Sequence, residues 1–252
     1  YSLALVSYDH FPIQTLLPSA TAKVIRIDLK KEGQLIGYIG GAGDDTPSAL
    51  RNMGYEVWEM ADEEVTAANL NRRDAVVFGV RAFNTNKNVR YFMDEILEYV
   101  HSGGTVVVQY NTAIDLTSNN FTPFPLAIRR NRVTEEDAEV RVLKPDHAVL
   151  NTPNKITSAD FEGWVQERGL YFPNKWDPAF EAILSMNDQK EQPKDGSLLV
   201  ARYGNGYYVY TGLSFFRELP EGVPGAYKLF ANLVSLGNEK KAETGKAKNK
   251  AR

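Results

Sequence analysis

Polar side chains stand just behind the apolar runs of this chain, and they set the chemistry it offers. "LIGYIGG" ends in Gly41, and behind it come Gly43, Asp44 and Asp45. Behind "DAVVFGV" come Arg81, Asn84 and Asn86, and "TVVVQYNT" ends in Gln109, Tyr110 and Asn111. Amides, carboxylates and a guanidinium converging on one edge suit a small, hydroxyl-rich ligand. Singly, Asn84, Asn86 and Asn111 read as turn residues, because Asn bonds its own backbone. The later stretch "GWVQERGLYF" holds Trp164, Glu167, Arg168 and Tyr171. Aromatic faces beside charges can bind sugars, and the same set also makes a core aromatic beside a salt bridge. Asp44, Asp45 and Glu167 are the candidate acids or bases. A carboxylate buried beside a second one is raised in pKa and can move protons near neutrality.

The glycine stretch "GYIGGAGDDTPSALRNMGYEV" has the strand–turn–helix layout of a phosphate cradle. A dinucleotide fingerprint wants G-x-G-x-x-G and an acidic residue about 20 positions on. Here Thr46 stands at the third glycine, and Glu59 is near the acidic position. Asp44 and Asp45 already complement the helix N-terminus and would repel a pyrophosphate. The stretch therefore reads as a carboxylate-capped tight turn that can wall a site. There is no P-loop and no G-x-S-x-G elbow. The chain has no cysteine, which excludes disulfides, thiolate metal sites and cysteine nucleophiles. His10, His101 and His147 lack metal-ligand spacing, and His101 sits where a helix C-terminus favours a cation. No metal and no cofactor are expected.

The elements that would position these groups follow from periodicity. "LIGYIGG", "EVWEM", "DAVVFGV" and "TVVVQYN" read as short strands, the third apolar throughout as in a sheet covered on both faces. "TPSALRNMGY" reads as a helix with Pro47 in its first turn and Gly54 at its end. "NVRYFMDEILEYVHSGG" is amphipathic, with Phe92, Ile96, Leu97 and Val100 on one face. Strand–helix–strand alternation predicts a mostly parallel sheet. "SLLVARYGNGYYVYTGLSF" predicts a hairpin around Gly204-Asn205-Gly206, and "GAYKLFANLVSLG" a final helix. "SADFEGWVQERGLYF" reads as helix or loop. Before all of these, "SLALVSY" and "AKVIRIDL" read as strands split by a proline-bearing loop.

The fold class is thus α/β, a mostly parallel sheet sandwiched by helices, flavodoxin-like. An N-terminal β extension spans 1–33, the α/β domain 34–237 and a basic flexible tail 238–252. Composition fits that plan, with 43% hydrophobic and 24% charged residues over 252. The net charge of −3 conceals an asymmetry. Residues 240–252 hold six Lys/Arg and one Glu; taking these from 29 and 32 leaves 23 and 31, or −8 for the body. A body of that sign is a poor partner for nucleic acid, and no apolar run is long enough to span a membrane. The chain starts at Tyr1, as expected of a processed chain or fragment.

"DAVVFGV", the helix after it and "GGTVVVQYNT" resemble the core of class I glutamine amidotransferase-like domains, in particular the ThuA-like branch. In that alignment the nucleophilic cysteine falls near Tyr110, so the resemblance comes without amidotransferase chemistry. A wider resemblance runs through "YDHFPIQTLLP", "GYIGGAGDD", "GVRAFNTN", "VVQYNT", "LNTPNKITSADFEGWVQERGLYFP", "GSLLVARYG" and "YTGLSFFRELPEGVPGAY". These look like the C-terminal region of large bacterial LmbE-related proteins, which are similar to PIG-L-type N-acetylglucosaminyl deacetylases. The deacetylase's own P-H-x-D-D motif is absent here. The resemblance implies an N-terminal deacetylase domain as partner and a periplasmic or extracellular location. Three readings follow: a non-catalytic accessory domain that binds a glycan or small polar ligand, or positions the deacetylase; a carbohydrate hydrolase working through strand-end carboxylates; and a structural or oligomerisation domain.

Overall fold

The structure is a computed structural model in which residues 1–20, 23–117 and 121–238 are described. In chain order its elements are β1 (Ala4–Tyr8), β2 (Phe11–Leu16), β3 (Leu35–Ile39), α1 (Thr46–Asn52), β4 (Glu56–Glu59), α2 (Ala67–Leu70) and β5 (Ala75–Phe78). Next come α3 (Ala82–Thr85), α4 (Val89–His101), β6 (Thr105–Val108), β7 (Leu126–Val133), β8 (Arg141–Val142) and β9 (Gly169–Trp176). The chain continues through β10 (Phe180–Ala182), β11 (Leu184–Ser185), β12 (Leu198–Tyr203), β13 (Gly206–Thr211), α5 (Phe215–Glu218) and α6 (Pro224–Ser235).

Seven strands make the central sheet, ordered β10-β12-β13-β6-β5-β3-β4. From β13 to β4 every pairing is parallel, while β12 and β10 add an antiparallel edge. This is the expected mostly parallel α/β architecture. Side chains alternate across the sheet and build a core on each face. Ala75 and Val77 of β5 meet α1 and α6, through Ala49, Leu50, Leu229 and Phe230. Val76 and Phe78 meet α4, through Phe92, Met93, Ile96 and Val100. That burial on both faces is why β5 and β6 read as unbroken apolar runs. Among the described residues no helix is long and apolar enough to cross a membrane.

Three strand pairs lie outside the sheet, β8 with β11 being the shortest. β7 and β9 pair antiparallel as a ribbon, with register irregularities along its length. β1 and β2 form a separate two-stranded hairpin whose Leu5, Tyr8, Ile13 and Leu16 are exposed. Of the expected strand "AKVIRIDL", the described residues 23–29 join no sheet. Ile27 and Leu29 pack on the core cluster that includes α1 and α6, and Ile25 meets Gly222, while the residues between them are exposed. Just beyond this stretch Asn154 ties Lys30 by its backbone, accepting from the N–H at 2.8 Å and donating to the carbonyl at 2.8 Å. "SADFEGWVQERGLYF" resolves into a 3-10 turn at Ser158–Phe161, a loop, and the start of β9. The expected basic tail lies outside the described residues except for Asn238.

Candidate functional site

The carboxyl ends of β3, β5, β6 and β13 open on one edge, where an open α/β sheet places its ligands. At β3 the turn is built by backbone proximity. A Cβ on Gly41 would lie 2.2 Å from the Val80 carbonyl oxygen, so only glycine fits. Gly43 follows with φ of +99°, in the left-handed region that favours glycine. Asp44 closes the turn. Its Oδ2 accepts from the Tyr38 hydroxyl and the Val80 N–H, both at 2.9 Å, and its Oδ1 from the Thr46 N–H at 2.9 Å. Asp44 is therefore tied to three donors of its own fold, and it drives the Tyr38 phenol upward in pKa after the larger effect of burial. Asp45 occupies the N-cap position of α1 and is exposed, with no side-chain cap bond. Asp44→Ala is expected to destabilise the chain by about 2 kcal/mol or more, because partly buried donors lose a charged acceptor. Chemical denaturation checks this; an unchanged midpoint would free Asp44 for another role.

The asparagines are also occupied. Asn84 donates to the carbonyls of Thr112 at 3.2 Å and Ile114 at 2.9 Å, and accepts from the Thr112 N–H. Asn86 donates to Asp62 at 2.6 Å and accepts from the Asn88 N–H. Asn111, fully buried, accepts from the Phe83 N–H and donates to the Gln109 carbonyl. All three tie strand-end loops together. Gln109 is buried too, with Nε2 3.2 Å from the Thr46 hydroxyl and Oε1 without a donor among the described residues.

Arg81, Tyr110 and Tyr171 come together. Arg81 has φ of 58°, uncommon for a non-glycine residue, and its N–H donates to the Tyr110 carbonyl at 2.8 Å. Its Nε is buried and unpartnered among the described residues. Tyr110 stacks on Tyr171, ring centres 6.0 Å apart and planes 8° from parallel, and meets Phe216 at 5.2 Å. Tyr171 too has positive φ, 54°. Burial pushes the Tyr110 phenol up in pKa, while the nearby Arg81 and Arg217 cations pull it down. Tyr110 does not have the left-handed backbone of a strained elbow, and no helix follows it directly.

Glu167 lies beside this group, buried. Its carboxylate is bridged by Arg217 Nε at 3.1 Å and Arg132 at 3.1 Å. Among the described residues, the side-chain partners of the Glu167 carboxylate are these two guanidinium groups. Among the described residues no cluster of three metal-ligating side chains occurs.

Trp164 and Arg168 do not join the strand ends. Trp164 packs between Phe161 and Phe215 in the core, and its Nε1 donates to the Asp160 carbonyl at 3.1 Å. Arg168 is buried, donating to the carbonyls of Ala138 and Phe161. Both border a cleft of about 480 Å³ beneath the acidic 136–139 loop. A cleft of about 580 Å³ lies between Lys23–Leu29 and α1, and neither cleft touches the strand ends. On the β7–β9 ribbon, beside the Tyr171 that stacks on Tyr110, lies a smaller opening of about 220 Å³, lined by Arg130, Arg132, Leu170 and Tyr171. Sequence reasoning misses Arg130, Arg132, Phe216 and Arg217. "RRNR" was the available signal for the first two, but only the folding-back of the β7–β9 ribbon carries it to Tyr171.

The fold is that of glutamine amidotransferase-like and ThuA-like proteins. A GMP synthase-like protein from Thermoplasma acidophilum superposes over 86% of this chain and 100% of its own, at TM-score 0.54 and 10% identity. A ThuA-like protein from Bacteroides uniformis covers 86% of this chain and 95% of its own, at 0.50 and 13%. A β-galactosidase from Rahnella sp. R3 matches over 81% of this chain and 31% of its own, at 0.51 and 15%. No protein-family model and no curated protein matches the sequence significantly.

Proposed function

We propose that this chain is a non-catalytic, ligand-binding domain of amidotransferase-like fold, whose strand-end cleft takes a glycan or small polar ligand. One observation carries the reading. The position behind β6 where the fold's nucleophile is expected holds Tyr110, stacked on Tyr171 beside an opening of about 220 Å³. A phenol whose pKa is raised by burial is a poor nucleophile at neutral pH, and an aromatic pair at an opening is a surface for a ring. Glu167, the best-placed carboxylate, is held between two guanidinium groups, which suits it to organising the cleft. Such an opening is below the size of drug-sized pockets and admits about one ring of a ligand.

On the LmbE-related resemblance, the domain holds substrate for a PIG-L-type deacetylase domain in the same protein. The match of this fold to about 31% of the Rahnella β-galactosidase is a parallel for such a fold within a larger protein that acts on glycosides.

A thermal-shift screen against mono- and oligosaccharides, nucleotides and divalent cations tests the reading. A ligand at 100 times its Kd adds about 2.7 kcal/mol, which for this size is a rise of several degrees. Saccharides are expected to give that rise, and Tyr171→Ala to remove it, at a modest cost to the unliganded Tm from the lost packing on Tyr110. A rise with nucleotides alone, or one indifferent to Tyr171, would sink the proposal.

A further inference from the structure

The strand-end cleft is positive in a negative protein. Arg130 and Arg132 line the opening beside Tyr171, Arg132 and Arg217 bridge Glu167, and the charges of Arg81 and Arg217 act on Tyr110, which stacks on Tyr171. Among the described residues Glu167 bridges Arg132 and Arg217, while Arg81 and Arg130 are in no ion pair. The body as a whole carries −8 once the tail is set aside. Solvation alone does not account for where these groups sit. Among the described residues the buried Arg81 Nε has no acceptor, on a residue held at φ of 58°. A buried charged donor left unpaired is costly, and strained backbone persists where the surroundings impose it. Arg130 makes no ion pair among the described residues and lines the opening beside Tyr171.

We propose that the ligand of this cleft is an acidic sugar, its carboxylate bound by Arg81 and Arg130 and its ring laid against Tyr171. The inference rests on the ligand-binding reading above and adds the ligand's charge and class. Guanidinium groups pair with carboxylates through two parallel N–H···O bonds, which gives orientation as well as affinity. The partly exposed face of Tyr171 supplies the flat surface that the C–H side of a pyranose packs against. Arg132 and Arg217 are already bridged to Glu167, so they set the local field and leave Arg81 and Arg130 for the ligand.

Titration calorimetry on the full chain separates the outcomes, using tetragalacturonate, the neutral galactose tetramer and galactose 6-phosphate. The acidic tetramer is expected to bind at least about tenfold more tightly than the neutral one, with affinity falling as salt rises. Arg81→Gly is expected to cost about tenfold in affinity while its Tm stays level or rises, since glycine relieves the left-handed backbone. Arg130→Ala, on the exposed face of β7, is expected to cost several-fold and does not depend on how position 81 tolerates change. Equal binding of the neutral tetramer, abolished by Tyr171→Ala, would overturn the acidic-sugar inference and leave the ligand-binding reading standing. Preference for the sugar phosphate, or affinity indifferent to both arginines, would overturn it as well. No binding of any saccharide would overturn both.

Discussion

Gly225→Ala is expected to lower the melting temperature by about 10 °C, the largest single effect of any one-methyl change in the chain. Gly225 is the second residue of α6, which the sequence reads as the start of an amphipathic helix. A Cβ there would lie 1.7 Å from the Asp160 carbonyl oxygen and 2.4 Å from its carbon. Neither side can yield. Ten residues of α6 are buried, so the helix cannot slide. Asp160 is fixed from several directions: its Oδ2 accepts from the Thr157 N–H at 2.8 Å, its Oδ1 from Lys228 at 3.0 Å, and its carbonyl from the Trp164 indole. Overpacking typically costs about 1–3 kcal/mol, and a clash between two anchored backbones belongs at or above the top of that range. At roughly 2–4 °C per kcal/mol, that gives the expected drop. Gly40→Ala is the control, because a Cβ there meets nothing within 4 Å. Its Tm is expected to stay within about 2 °C of the parent. Equal melting of the two variants in a thermal scan would mean that the α6 contact does not anchor the fold.

Gly225 also marks where sequence reasoning stops. β5, β6, α4 and α6 were legible because their burial is periodic, and periodicity is local. The reason for Gly225 lies 65 positions upstream, at Asp160, and no local pattern encodes it. "AKVIRIDL" shows the converse error. Its alternation is real, with Ile25, Ile27 and Leu29 inward, but period two records which side chains are covered and says nothing of a ladder partner. At the strand ends, Arg81 and Tyr110 could be placed because a parallel sheet puts its ligand edge behind the strands. Trp164 and Tyr171 lie seven residues apart in one stretch, yet they pack in different cores. Between them the chain takes positive φ at Gln166 and enters β9 at Gly169, and neither event is written in the aromatic spacing. Arg217 and Phe216 were hidden for a simpler reason. They follow the hairpin strand β13, and only its parallel pairing with β6 brings them beside Tyr110.

That same turn after β13 carries a buried acid, and Glu218→Gln is expected to stabilise the chain by roughly 2–3 kcal/mol at pH 8 and by little at pH 4.5. Glu218 is fully buried in α5, and burial raises its carboxyl from 4.5 to about 7. Two hydrogen bonds and the cations Arg168 and Arg217 work against that rise without cancelling it. The geometry agrees with a protonated side chain. Oε2 accepts from the Val165 N–H at 2.9 Å, while Oε1 lies 3.1 Å from the Ser214 hydroxyl. That hydroxyl is also 2.5 Å from the Glu167 carbonyl, and it has one proton to give. If the proton goes to Glu167, Glu218 must bring its own to reach Ser214. Because the folded value lies above the unfolded one, folding takes up a proton between pH 4.5 and about 7. The contribution of Glu218 is therefore fully present below 4.5, falls as pH rises through that window, and is gone above about 7. Glutamine keeps the hydrogen-bonding shape of the protonated acid and removes the titration. His147, whose pKa burial lowers, acts in the opposite direction, since its contribution grows as pH rises through the same region. The quantity to measure is thus the difference between variant and parent in denaturant unfolding at pH 4.5, 6, 7 and 8. A difference that widens steadily to pH 8 supports a neutral Glu218 in the folded chain. A difference that stays flat with pH would mean that the carboxylate is already ionised inside the fold, held by Arg168 and Arg217.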